Sequence, residues 1–225
     1  MDPLSFLAWR FWAFFRDPTR HSPEGRVVVA PADGRILYVE QVAAGTAPSA
    51  VKQGTAIPVD HADSVQPVDA PGVLIGIYMF PWSVHVNRAP VAGKVTRVQA
   101  RPAIRENRSM VRALMHLAWE LPVTAEVRDS VADNARNTLV IDANGSAGNV
   151  STGEVSVAVV QIADRYVREV DCFVREGQTV ERGQRIGMIR MGSQCDVFLR
   201  RVPGIEILCR PGDRVRAGET ILARY

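Results

Sequence analysis

The sequence has 225 residues, 47% of them hydrophobic and 23% charged, with 27 basic against 24 acidic side chains. That composition excludes a disordered, collagen-like or coiled-coil chain, and no apolar run reaches the roughly 18 residues a membrane-spanning helix needs. A net charge of +3, with basic residues scattered rather than striped, argues against a nucleic-acid reader and for an anionic lipid or small anionic ligand.

Only Lys52 and Lys94 are lysines; every other basic residue is an arginine, whose guanidinium fork matches phosphate oxygens. Chemistry that depends on a lysine therefore has two candidates. Cys172, Cys195 and Cys209 are odd in number and show no C-x-x-C spacing, which disfavours a disulfide framework and a zinc site and fits a reducing compartment. No metal site is expected.

In chain order, the first element is an aromatic helix. Leu4 to Phe15 reads LSFLAWRFWAFF, with Asp2 placed to cap it, Pro3 at its first turn and Pro18 to stop it. Phe6, Trp9, Phe11 and Trp12, flanked by Arg10 and Arg16, suit a membrane interface, where indole rings sit at headgroup depth. The competing reading is a helix packed on protein. After Arg26 the text turns to short β-branched runs broken by Gly and Pro: RVVVA, GRILYVEQV, GVLIGIYMF, GKVTRVQA, NTLVID, EVSVAVVQIA, DVFL and GIEIL. Runs of that length and spacing predict an all-β sandwich or barrel. One helix is expected between Ser109 and Leu121, where Met110, Leu114, Leu117, Ala118 and Leu121 recur at helical spacing.

Two internal echoes organise the strands. Ala30-Pro31-Ala32-Asp33-Gly34-Arg35-Ile36 parallels Ala89-Pro90-Val91-Ala92-Gly93-Lys94-Val95. Gly177-x-x-Val180-x-x-Gly183-x-x-Ile186 parallels Gly212-x-x-Val215-x-x-Gly218-x-x-Ile221, a pattern similar to the biotinyl/lipoyl carrier fold. The expected architecture is a pseudo-symmetric barrel-sandwich of such hairpins, with an interfacial helix at residues 1–18 and one β domain at 19–225. The first echo isolates Asp33. Asp-Gly is ordinary turn chemistry, yet the second copy builds the same turn with Ala92. The turn does not need the carboxylate.

Of the four histidines, His85 lies in Ser83-Val84-His85-Val86-Asn87, where strand alternation sets Val84 and Val86 on one side and Ser83, His85 and Asn87 on the other. Such a histidine is commonly just a surface residue. Gly192-Ser193 is likewise a common turn dipeptide.

Together, FFRDPTR (14–20), APADGRI (30–36), VHVNRAPVAG (84–93), REGQTVERGQRIGMIRMGSQCDVFL (175–199) and the closing GDRVRAGETILAR resemble the short prokaryotic, archaeal-type phosphatidylserine decarboxylase proenzymes. The resemblance implies self-cleavage between Gly192 and Ser193 into chains 1–192 and 193–225, with Asp33, His85 and Ser193 as the processing triad. It implies a pyruvoyl cofactor made from Ser193, a carbonyl that takes up the electrons as carbon dioxide leaves, with His85 as the acid that then returns a proton. The implied product is phosphatidylethanolamine. The implied location is peripheral, on the cytoplasmic side of the cell membrane, with a phospholipid substrate and no nucleic-acid partner. A homodimer is compatible with the sequence. The chain departs from the family at Arg101–Ile104, at Asp133–Asn137, and at Met191, Gln194, Cys195 and Arg200, positions that bear on the headgroup pocket.

The rival readings are a decarboxylase of another amine, an uncleaved membrane-bound scaffold, a carrier module and a pyridoxal-phosphate enzyme. The last two need a lysine in a particular setting, and neither Lys52 nor Lys94 has it.

Overall fold

The computed structural model describes residues 15–43, 51–52, 55–56, 71–103, 106–119, 121, 134–143, 155–165, 167, 170–190, 193–200 and 202–225. The aromatic segment carrying Phe6, Trp9, Phe11 and Trp12 lies outside them, as does Gly192. Among the described residues the strands are β1 (Val27–Val29), β2 (Gly34–Val42), β3 (Val51–Lys52), β4 (Thr55–Ala56), β5 (Gly72–Met79), β6 (Val86–Arg88), β7 (Gly93–Arg101), β8 (Arg136–Asp142), β9 (Ser156–Ala163), β10 (Val170–Cys172), β11 (Thr179–Val180), β12 (Arg185–Ile189), β13 (Ser193–Arg200), β14 (Glu206–Ile207), β15 (Arg214–Val215) and β16 (Ile221–Arg224). One helix, α1 (Val111–Ala118), is described between β7 and β8.

The protein is mainly β, as its alternating runs predict. An antiparallel sheet of eight strands in the order β11-β7-β8-β9-β13-β5-β2-β15 curls around the core, and two three-stranded sheets, β1-β16-β14 and β10-β12-β6, close on its inner face. The alternation decides which side chains meet there. Cys195, Val197 and Leu199 of β13, Ile75, Ile77 and Met79 of β5, and Val157 and Val159 of β9 join Ile186, Ile189 and Leu222 in one buried cluster. Gln194, Asp196 and Phe198 of β13 take the opposite parity. On that outer face α1 covers a second cluster, with Met110, Ala113 and Leu117 against Leu37, Tyr38, Tyr78 and Ile162. The helix is shorter than its apolar pattern suggests, and Ala118 and Leu121 face solvent.

Both echoes are structural. β11 of one carrier-like repeat pairs with β7 (Val180 opposite Gly93), and β15 of the other pairs with β2 (Val215 opposite Gly34). Matching hydrogen bonds recur on the two sides: Gly177 N–H to Val95 O and Gly212 N–H to Ile36 O, then Gly183 N–H to Ala89 O and Gly218 N–H to Ala30 O. Gly183 and Gly218, at φ of 80° and 77°, abut one another where the halves meet. The first strand of each half is also bulged at the same place, at Leu37 and at Thr96, where the register with the neighbouring strand slips. The Leu37 bulge sends Ile36 into the inner core and Tyr38 to the outer face, where its ring covers Gly76.

Candidate active site

Ser193 opens β13, the strand held between β5 and β9, where it sits opposite Met79 and Ala163. It is fully buried, and its hydroxyl reaches Met79 Sδ at 3.3 Å. The peptide bond that precedes it joins a residue outside the described set.

His85 comes to the same region from the chain that leaves β5. After Met79 the backbone turns, with Ser83 N–H donating to Phe80 O at 2.8 Å, and then enters β6. Val84 and Val86 pack outward on Met188, so strand alternation turns His85 and Asn87 inward, where both are fully buried. Asn87 Nδ2 lies 3.7 Å from Met79 Sδ, so β6, which His85 immediately precedes, and the serine abut one sulfur atom. The backbone ties them again: Ile189, four residues before Ser193, donates its N–H to His85 O at 3.3 Å.

The protonation state of His85 follows from its surroundings. Nδ1 lies 2.8 Å from the Ser83 carbonyl oxygen, which only accepts, so Nδ1 carries the hydrogen and Nε2 the lone pair. Burial lowers the pKa to about 4, and the nearby Arg16 charge pushes the same way, against the smaller opposing effect of the Ser83 carbonyl. The ring is therefore neutral at pH 7.

A buried amide chain backs this site. Gln161 Nε2 donates to Asn87 Oδ1 at 2.8 Å and Asn137 Nδ2 donates to Gln161 Oε1 at 3.0 Å, all three residues being enclosed. Gly187 leaves room for it, since a Cβ there would stand 2.7 Å from Gln161 Nε2. Sequence reasoning passed over Gln161, and it met Asn137 only as part of a departure from the family. The available signal was parity: Gln161 shares its strand face with Val157 and Val159, an inward position where an amide needs a partner.

Asp33 sits in the turn before β2, and both of its oxygens are engaged. Oδ1 accepts from Ala217 N–H at 2.7 Å, and Oδ2 accepts from Arg20 at 2.8 Å, whose guanidinium also bonds Glu219 at 3.0 Å. The sequence reading sets Asp33 to orient His85, whereas the acceptor described at Nδ1 is the Ser83 carbonyl oxygen. Arg20 explains the difference, because the FFRDPTR segment brings a guanidinium to the carboxylate. The same segment sends Asp17 to Arg88 at 2.5 Å and to Arg185, and just beyond it Ser22 donates to Gly218 O at 2.8 Å.

Asp33 and Ser83 still share a wall. They border a cleft of about 580 Å³ with Arg16, Arg35, Arg214 and Arg216 and the stacked pair Phe80 and Trp82, whose ring centroids are 5.1 Å apart. Arg16 also donates to the carbonyl oxygen of Trp82. On the outer face of β13, Tyr38 donates to Asp196 Oδ2 at 2.8 Å and Gln194 to Oδ1 at 2.7 Å, while burial raises the Asp196 pKa to about 6. This cluster lies across the sheet from Ser193. Cys195 faces the inner core as a thiol that burial holds protonated, and all three cysteines are free. No cluster of metal-ligating side chains occurs among the described residues.

Residues 7–223 match the family described as phosphatidylserine decarboxylase. A phosphatidylserine decarboxylase proenzyme of Pelodictyon phaeoclathratiforme is 34% identical over 94% of this chain and 77% of its own length. One from Nitrobacter winogradskyi is 38% identical over 94% of this chain and 68% of its own. A relative from Methanothermobacter thermautotrophicus, whose name gives archaetidylserine in place of phosphatidylserine, is 35% identical over 94% and 79%.

Proposed function

The chain belongs to the phosphatidylserine decarboxylase family, and from that premise we propose that it is a carboxy-lyase proenzyme that cuts itself between Gly192 and Ser193 and then converts phosphatidylserine to phosphatidylethanolamine. The observation that carries this reading is a buried serine whose hydroxyl meets Met79 Sδ, the same sulfur approached by Asn87, two residues after the neutral, buried His85. A serine hydroxyl is a weak nucleophile until a base takes its proton, and His85 has a lone pair at Nε2 with Nδ1–H fixed on Ser83 O.

In processing, Ser193 Oγ attacks the Gly192 carbonyl carbon and its proton passes to His85. Collapse of the adduct breaks the Gly192–Ser193 amide and returns a proton to the nitrogen, leaving an ester. Loss of the Cα proton of Ser193 then expels the Gly192 carboxylate from Cβ. The resulting dehydroalanine takes up water and releases ammonia, leaving a pyruvoyl group on chain 193–225. The surroundings of Ser193 fit an uncharged carbonyl group: Met79 and Ala163 flank it, and no charged side chain bonds it among the described residues. That group supplies the electron sink for decarboxylation. His85 would return a proton to the substrate carbon once carbon dioxide has left, after its Nε2 has itself taken one up, and the Asn87–Gln161–Asn137 chain holds the segment that carries it.

Asp33 enters on the motif. It borders the same cleft as Ser83, and its carboxylate is held by Arg20 and Ala217 N–H. The large and small chains stay paired as one β domain spanning residues 19–225, because β13 is hydrogen-bonded on both sides to strands of the large chain.

The protein works at a lipid surface on the cytoplasmic side of the membrane, with residues 1–18 as an interfacial helix. The aromatic run of that segment and the exposed rings of Trp82 and Trp119 (59% and 76% exposed) support this placement. No helix among the described residues is long and apolar enough to cross a membrane. The relative named for archaetidylserine supports a second substrate with the same serine headgroup on a different lipid.

Intact mass of the purified protein is expected to show two chains, the smaller starting at residue 193 with a blocked N-terminus, and the Ser193→Ala protein a single chain of 225 residues. A wild-type protein that stays whole sinks the processing mechanism. Failure to release carbon dioxide from either serine lipid sinks the substrate.

A further inference from the structure

The arginine cleft has a composition that processing does not explain. Arg16, Arg35, Arg214 and Arg216 converge on it, and the one carboxylate on its wall, Asp33, is already bonded to Arg20. Among the described residues no carboxylate forms an ion pair with Arg35 or Arg214. Guanidinium groups gathered in one concavity repel each other until an anion sits between them, and their planar forks suit phosphate oxygens. The cleft also adjoins the candidate active site: Ser83, on its wall, holds the His85 ring, and the Arg16 charge is felt at that ring.

A second cleft, of about 650 Å³, begins where the first ends. Arg35 borders both, and the second runs between β2 and α1 past Leu37, Val39, Leu117 and Leu121. A phosphate site that opens at one arginine onto a groove walled mainly by aliphatic side chains, with Glu40 and His116 on its border, has the shape of a phospholipid rather than of a free anion.

We infer that the cleft of Arg16, Arg35, Arg214 and Arg216 holds the phosphodiester of a phospholipid, with an acyl chain running from Arg35 along the groove between β2 and α1. This rests on the lipid-substrate reading above and adds the residues that would hold the lipid. The serine headgroup then extends past Ser83 toward His85, and Trp82 at the rim faces the lipid surface.

The test uses dihexanoylphosphatidylglycerol, which carries the phosphodiester and the tails yet has no amine to react. Titration calorimetry on the wild-type protein therefore reads the site whether or not the enzyme turns over phosphatidylserine. Arg35→Gln with Arg214→Gln is expected to weaken binding about tenfold or more, the scale of one lost charge-assisted hydrogen bond, while the melting temperature holds because both side chains reach solvent. The Lys pair at these positions recovers part of the affinity, since charge returns without the fork. Leu121→Asp is expected to weaken the lipid and leave inorganic phosphate unaffected.

For phosphatidylserine itself, the double Gln variant raises KM far more than it lowers kcat, and its processing into two chains is unchanged. Wild-type affinity for dihexanoylphosphatidylglycerol in the double Gln variant overturns the proposal. So does inorganic phosphate binding as tightly as the lipid. A wild-type protein that binds this lipid through the two arginines yet releases no carbon dioxide refutes the decarboxylase reading and leaves the lipid site standing.

Discussion

The two halves of the β domain are built alike and used differently. Each has an Ala-Pro turn, a bulged strand and a glycine-rich repeat that pairs back onto it, with the same backbone hydrogen bonds. In the first half the turn carries Asp33, which accepts the N–H of Ala217 and holds Arg20. In the second half Ala92 occupies that position, exposed, with no side chain able to reach the corresponding N–H of Arg182. The second half instead supplies the strand that brings in His85 and Asn87, and Arg88, which anchors Asp17 at 2.5 Å. The scaffold is symmetric, and the polar groups are where the symmetry breaks. The proposed self-cleavage calls for one base, one carboxylate and one nucleophile, and has no use for two copies of each.

The largest expected effect falls on the second half. His85→Ala should slow processing by about a hundredfold or more, the usual worth of a positioned base, read as the fraction of full-length chain over time. Cutting at the wild-type rate removes His85 from the mechanism. The pH profile sharpens the point. A histidine at the ordinary value of 6.5 loses its base form between pH 8 and 6, but one lowered to about 4 does not. Processing of the precursor should thus stay flat from pH 8 to 6 and fall only as pH drops toward 4. The same shift makes the native state less stable on acidification from 6.5 toward 4, because only the unfolded chain takes up that proton.

Asp33→Asn comes next. Leaving Arg20 half-paired in a mostly buried setting should cost about 1–3 kcal/mol in denaturant unfolding, and processing should slow with it. Normal processing in a destabilised Asp33→Asn protein makes the aspartate a purely structural staple. The mirror change, Ala92→Asp, should stay within about 0.5 kcal/mol of wild type. Equal costs at the two positions erase the asymmetry.

Glycines separate the halves more finely. Gly183→Ala sets a Cβ 2.2 Å from Ser22 Oγ, whereas at its counterpart Gly218 the nearest atom to a Cβ is Arg88 Cδ at 3.2 Å, both at positive φ. Expected losses are about 2 kcal/mol and about 1 kcal/mol, measured by thermal or urea unfolding.

Much of this was legible in the residues. Strand positions followed from alternation, and the run GRILYVEQV coincides with β2 from Gly34 to Val42. Parity separated His85 and Asn87 from Val84 and Val86, because strand alternation is local, but it suggested an exposed histidine, whereas the structure buries His85 completely. The two echoes exposed Asp33 by comparison with Ala92. Other features were not legible, because they depend on residues far apart in the chain. Nothing near Asp33 in sequence says that Arg20 and Ala217 will claim its oxygens, and nothing near Gln161 says that Asn87, 74 positions earlier, will meet it. Likewise, α1 buries Met110, Ala113 and Leu117 and leaves Leu121 outside, since the outer face of β2 sets how much of the helix is covered.

By itself the sequence determined the β class, the repeated hairpins and the family, and it singled out Ser193, His85 and Asp33 as the candidates for the chemistry. Period-two alternation, turn glycines and short motifs are properties of neighbouring residues, and they survive without knowing where the chain goes. The tertiary structure decided the state of those groups. The neutrality of His85 comes from burial under several strands and from an arginine near the N-terminus. The engagement of Asp33 comes from a segment that crosses both halves. The gathering of Arg16, Arg35, Arg214 and Arg216 into one cleft, from 25 arginines scattered along the sequence, exists only once the strands have paired. Charge and proton affinity depend on distance through space, and strand pairing sets that distance.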